Sequence, residues 1–154
     1  SRFVESVRWG AVVLALPAAA CTHFDCSRVT GDPALRIGRL SGGDGPRVNI
    51  VEVFSDGDLR FQRLGHRSYC SRISPEKARE LLSLAEPSEL EALRDLPLGF
   101  DEPEAQVERD GAKLRVPLKA VPASLVPLFQ QVDSLFAGTF GARYDLPLLP
   151  KDNP

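Results

Sequence analysis

Three cysteines and one arginine-rich run are the residues of this chain whose types could do chemistry. Cys21, Cys26 and Cys70 are odd in number. If Cys21 has a separate role, Cys26 and Cys70 remain as a pair. An oxidising compartment could join them, and closing that loop contributes about 4 kcal/mol on the chain-entropy estimate. The alternative is two buried or idle thiols. No CxxC spacing exists, which argues against a structural zinc site or a thioredoxin-like role. Arg60, Arg63, Arg67 and Arg72, with His66 near Tyr69, form the densest basic spot. Guanidinium forks hold phosphate or carboxylate, so the pattern predicts a site for a small anion or a lipid headgroup. The competing reading is a solvated loop paired with acidic neighbours.

Catalysis finds little material. A hydrolase triad needs a nucleophile, a base and an orienter. The two histidines stand in loop-like segments, and His66 has no evident partner. There is no G-x-S-x-G, no HExxH and no dinucleotide fingerprint. His23 and Asp25 are too few to hold a metal. Asp101, Glu102 and Glu104 do not spell a calcium loop. The expectation is no catalytic residue, no metal and no cofactor.

The first twenty residues explain what Cys21 could be for. Arg2 and Arg8, with Glu5 between them, precede an apolar run from Trp9 to Leu16. Pro17 then breaks any helix and leaves Ala18-Ala19-Ala20 before Cys21. A basic start, a short apolar core and small residues at a cleavage site are the parts of a secretory signal. The run is far short of the ~20 residues that span a membrane. It is apolar all round, unlike an amphipathic helix kept by a cytosolic protein. The leader resembles the lipobox of bacterial lipoproteins, with Ala18 where that family usually has Leu. The resemblance implies cleavage before Cys21, lipid on its thiol and an acylated new N-terminus. It also implies an outer-membrane address, because Thr22 rather than Asp follows the cysteine. Ala18-x-Ala20 fits ordinary signal peptidase too, which would leave Cys21 an unmodified N-terminal residue.

Composition bounds the rest. The sequence has 154 residues and a net charge of −2; without residues 1–20 it has 134 and a net charge of −3. That length suits one domain with a sizeable core. A near-balanced charge argues against a general nucleic-acid binder. Thirteen prolines and twelve glycines are scattered and read as loops.

The elements that would position these groups follow from pattern. Residues 21–33 read as a polar tether ending in Gly31-Asp32-Pro33. Residues 34–140 read as the single domain, and 141–154 as an extended Pro-rich tail with Tyr144, Leu146 and Leu148 laid on the body. Ala34 to Leu40 alternates weakly and suits an edge strand. Ser41 to Pro46 is a flexible loop without a phosphate-loop ending. Val48 to Phe54 and Leu59 to Leu64 form a hairpin. A three-residue turn, Asp56-Gly57-Asp58, sets Ser55 opposite Leu59 and Val53 opposite Phe61. Gly65 to Arg72 reads as a basic loop. Ser74-Pro75-Glu76 opens a helix with Ala78, Leu81, Leu82 and Ala85 buried, and Pro87 ends it. Ser88 and Glu91 have capping-box spacing for a short helix to about Asp95, with a connector to Pro103. Around Asp110-Gly111, Val107 meets Leu114, Ala105 meets Val116, Glu108 meets Lys113 and Gln106 meets Arg115, all from one register. A last helix spans Ala123 to Ala137, with Pro127 in its first turn and Gly138 as its stop.

The fold expected is therefore α+β in two layers: an antiparallel sheet of two hairpins with two main helices, in an order that could be a duplicated ββα unit. The function expected is a lipid-anchored envelope protein facing the periplasm, non-enzymatic, with a protein or cell-wall partner. The alternative is a secreted or periplasmic domain that binds a small anion through its arginines.

Overall fold

A computed structural model of the chain describes residues 24–41, 47–144 and 146–149. The leader, Cys21, most of the glycine loop and the end of the tail lie outside the described residues. In chain order the elements are β1 (Leu35–Ser41), β2 (Arg47–Val53), β3 (Asp58–Arg63), β4 (Tyr69–Arg72), α1 (Pro75–Ser83), α2 (Pro87–Ala92), β5 (Glu104–Arg109), β6 (Ala112–Pro117) and α3 (Val126–Phe140). The strands form one antiparallel sheet in the order β4-β3-β2-β1-β5-β6. The architecture is α+β, with the helices packed on one face of that sheet.

Alternation along the strands builds the core. Leu35 and Ile37, Val51 and Val53, Leu59 and Phe61, Val107, Leu114 and Val116 all point to the helical layer and are buried. Leu81 of α1, Leu90 of α2, and Leu128, Val132 and Phe136 of α3 meet them. Phe61 stands edge-on to Phe136 at 4.9 Å and to Phe140 at 5.4 Å between ring centres, the geometry that aromatic quadrupoles favour.

The second hairpin forms in the expected register, with Asp110 (φ 47) and Gly111 (φ 82) both left-handed as its two-residue turn demands. The first hairpin slides by two residues from the expected pairing. Val53 faces Leu59, Val51 faces Phe61 and Glu52 faces Arg60. Its loop is Ser55-Asp56-Gly57, because the glycine (φ 99) must take the left-handed place at the end of the loop. A side chain at Gly57 would also run into the carbonyl oxygen of Ile73. A slip of two keeps every residue on its expected face.

Other elements depart from the sequence reading. β1 is central rather than an edge, hydrogen-bonded to β2 and β5 along its length. Its weak alternation suited an edge strand, but with a neighbour on each side Leu35 and Ile37 are fully buried. Tyr69 to Arg72 is a strand rather than loop, held by the Tyr69 ring against Phe61 and Phe140. α1 has the expected cap: the Ser74 hydroxyl accepts from the Lys77 amide at 3.1 Å. α2 starts at Pro87 rather than at a Ser88 cap, since proline lacks the amide that the first turn leaves unpaired. α3 runs through Gly138 and stops at Gly141 (φ 57), because Phe140 still has a buried partner in Phe61. The halves are unequal, four strands and two helices before two strands and one helix, so β1 and β4 have no counterparts in a duplicated unit.

At Gly38, in the middle of β1, an added Cβ would lie 2.7 Å from Ile50 Cγ1 and 3.3 Å from the Asn49 carbonyl oxygen. Ile50 occupies the space a side chain would need. Gly38→Ala is expected to cost about 1–3 kcal/mol through overpacking, read as a lower midpoint in urea unfolding. An unchanged midpoint would show that the centre of the sheet has slack.

Candidate functional site

The first site is the anchorage of the N-terminal segment. Cys26 and Cys70 are joined as a disulfide, with Cα atoms 5.2 Å apart. Phe24 bridges to Cys70 in the antiparallel sense on the free edge of β4, its amide 3.4 Å from the Cys70 carbonyl oxygen. Asp25 caps a short 3-10 turn, Cys26–Arg28, by accepting from the Ser27 amide at 3.0 Å. Val29 is then buried with Phe54 and Cys70 in a small second core on the face opposite the helices. The expected tether is thus fastened to the body from residue 24 onward. The apolar spacing of Phe24 and Val29 around Cys26 was the sequence signal for this.

The four arginines do not assemble into one site. β3 alternates, so Arg60 points to the open face and Arg63 to the helical face. On the open face the Arg60 guanidinium donates to both oxygens of buried Glu52 at 3.0 Å, and Gln62 donates to the same carboxylate at 2.8 Å. Glu52 thereby holds the Arg60 pKa above its ordinary value. Arg72 donates to Asp58 at 2.8 Å and lies over the Phe24 ring. Arg60 and Arg72 are therefore structural. The register across the open face runs Lys113, Glu108, Arg36, Glu52, Arg60, with charges alternating from strand to strand.

Arg63 and Arg67 do come together, in a cleft of about 370 Å³ at the β3–β4 turn. His66 and Arg143 join them on its rim, and Phe61, Tyr69 and Phe140 form its wall. Arg63 is held in place: it donates to Asn49 Oδ1 at 3.3 Å and to the Arg143 carbonyl at 3.1 Å, and its guanidinium sits 5.2 Å from the Phe140 ring centre. His66, Arg67 and Arg143 are exposed. Among the described residues no carboxylate lines this cleft. A smaller hollow beside it shares Arg63 and His66. Arg143, absent from the sequence expectation, reaches the cleft because α3 runs on past Gly138. The cleft can bind an anion against an apolar wall.

After α3, the described residues 141–144 and 146–149 are clamped to the body. Tyr144 Oη donates to Asp133, which also accepts from the amides of Leu148 at 2.6 Å and Leu149 at 3.0 Å. Burial first, then the bond to Asp133, raises the Tyr144 pKa well above its ordinary value. Asn49 donates to the Leu146 carbonyl at 2.9 Å and Arg39 to that of Pro147 at 2.5 Å. Leu148 is fully buried in the main core, as the pattern of the tail suggested. Among the described residues no cluster of three metal-ligating side chains exists, and no helix is long and apolar enough to cross a membrane.

One exposed group has no counterpart in the sequence expectations. Phe100 is 97% exposed at the tip of the connector before β5. The signal available was an apolar run, Leu96 to Phe100, inside an acidic stretch. No protein-family model matches the chain, and no curated protein matches it.

Glu104, on the open face of β5, gives the fold a measurable pH dependence. A hydrogen bond from Arg115 lowers its pKa against the cost of burial, with help from Gln106. A carboxyl held lower in the fold than in the unfolded chain stabilises fully above its ordinary value of ~4.3. That contribution fades as pH falls through the folded value. Unfolding followed from pH ~5 to ~3 should show the unmodified protein losing stability more steeply than Glu104→Gln. Equal slopes would mean that the ion pair is not formed in solution.

Proposed function

We propose that this chain is the body of a lipid-anchored envelope protein, non-enzymatic, held at a membrane by lipid on Cys21 and facing the periplasm. The observation that carries the reading is the Cys26–Cys70 bridge. It accounts for two of the three cysteines and fits an oxidising compartment. Cys21 is left as the single other thiol, directly behind a leader that resembles a lipobox. It stands three residues before Phe24, a span of at most ~10 Å even when extended. The body would thus sit close to the bilayer. Two or more acyl chains hold a protein stably where one does not.

Intact mass of the protein made in cells tests the reading. It should show residues 1–20 removed, lipid added and two hydrogens lost to the bridge. Cys21→Ser should leave the membrane fraction. Retention of residues 1–20, or a Cys21→Ser protein still partitioning to membranes, would overturn it.

A second reading rests on a different observation, the cleft with Arg67 and Arg143 at its rim and an aromatic wall. That cleft binds anions, using two of the four arginines expected from sequence together with His66 and Arg143. Inorganic phosphate should raise the melting temperature of the protein, and the double variant Arg67→Ala/Arg143→Ala should lose that rise. Equal stabilisation of both proteins would remove the cleft from consideration.

A further inference from the structure

Phe100 is out of place for a soluble surface, because a single aromatic ring is almost wholly in water on a turn that is built rather than loose. The Gly99 amide donates to Glu102 Oε2 at 2.7 Å, and the Glu102 amide donates to the Gly99 carbonyl at 3.3 Å. The other oxygen of Glu102 pairs with Lys119 at 2.9 Å. Asp101 takes a left-handed backbone (φ 56) to close the turn. Just before it, the connector is tied to the edge of β6. Asp95 accepts from the Arg115 amide at 2.8 Å, and the Leu96 amide donates back to the Arg115 carbonyl at 3.2 Å. Just after it, the Leu118 amide donates to the Pro103 carbonyl at 2.8 Å. Holding Phe100 out this way lowers the entropy cost of docking it, as for an interface anchor.

The surroundings of the ring state what it would dock into. Leu96, four residues earlier on the same connector, is 44% exposed. Glu89, Glu91, Asp95 and Asp101 are exposed in the same stretch of chain with Arg94, while the nearby exposed cations Lys119 and Arg115 are taken up by Glu102 and Glu104, so an acidic excess remains. An acidic rim of this kind is repelled by anionic headgroups and suits a pocket with an apolar wall and a cationic rim. This molecule carries such a pocket. The cleft of Arg63, His66, Arg67, Tyr69, Phe140 and Arg143 has the opposite charge and an aromatic wall. Its volume, about 370 Å³, exceeds the ~150 Å³ that suffices for a benzene ring.

The two features cannot meet within one molecule. The turn borders β6 and the cleft borders β4, the two edges of the sheet, separated by five strand spacings or ~24 Å. They do lie at the same end of the strands. β5 begins opposite Leu40, Leu40 lies opposite Val48, and the Leu64 amide donates to Val48. The segment that starts at Phe24 runs antiparallel to β4, away from the Arg72 end and toward the Tyr69 end. We infer that the acidic Phe100 turn of one copy docks into the basic aromatic cleft of the next, giving a head-to-tail row of molecules. Such a contact is heterologous and does not close on a pair. All copies in the row point the same way. This rests on the anion-binding reading of the cleft and names its occupant as the carboxylates and ring of a second copy.

Sedimentation of the disulfide-bonded full chain carrying Cys21→Ser tests it. At low salt the average mass should climb with concentration beyond a dimer, and fall as salt is raised. Phe100→Ala and Arg67→Ala/Arg143→Ala should each weaken association at least tenfold. Both changes are at exposed positions, and circular dichroism should confirm that the variants remain folded. Mixed together they should form a one-to-one pair, because one keeps the cleft and the other keeps the turn. A monomer at all concentrations, a closed dimer, or association indifferent to Phe100→Ala would overturn the inference. Phosphate stabilisation with no association would leave the cleft reading standing and reject only this occupant. Loss of both would reject the cleft itself.

Discussion

Strand alternation is the constraint on which the rest of this structure depends. Six strands share one apolar face, and each side chain on that face is fixed by a period of two. The same period decides where every charge goes. It sends Arg60 to Glu52 and Arg63 to the helical side, three residues apart in sequence and on opposite sides of a sheet. It also lines up the alternating charges of the open face, so that buried Glu52 and Asp58 each find a guanidinium. A buried carboxylate without such a partner would be strongly unfavourable.

The parts of the fold legible in sequence are those governed by local rules. The β5–β6 hairpin was readable because its turn type, apolar pairs and charge pairs agree on one register. The cap of α1 was readable because Ser74 and Pro75 act within a single turn. The β2–β3 faces were readable, but their register was not, since only Gly57's left-handed backbone and its nearness to Ile73 select it. What sequence could not supply was long-range partnership. β1 became central because β5 pairs with it some seventy residues later. Tyr69 became strand because α3 brings Phe140 to it.

The candidate sites divide along the same line. Cys26 and Cys70 were pairable by counting alone. The cleft was half visible, because Arg63 and Arg67 are near in sequence whereas Arg143 arrives on a distant helix. Phe100 was legible only as an oddity, an aromatic ring in an acidic connector. Its meaning depends on exposure, which no pattern of neighbours reports.

The central place of β1 has a consequence for how the protein is made. A chain delivered N-terminus first, from the ribosome or across a membrane, presents β1 to β4 before β5 arrives, so for that interval one whole side of β1 carries unpaired amides and carbonyls beside Leu35 and Ile37. A flat bare margin of this kind recruits foreign strands. Delivery of the chain, rather than the finished molecule, is then the stage at which this protein is most exposed to misassembly, and a chaperone shielding the incoming chain would matter most in the span between Arg72 and Glu104.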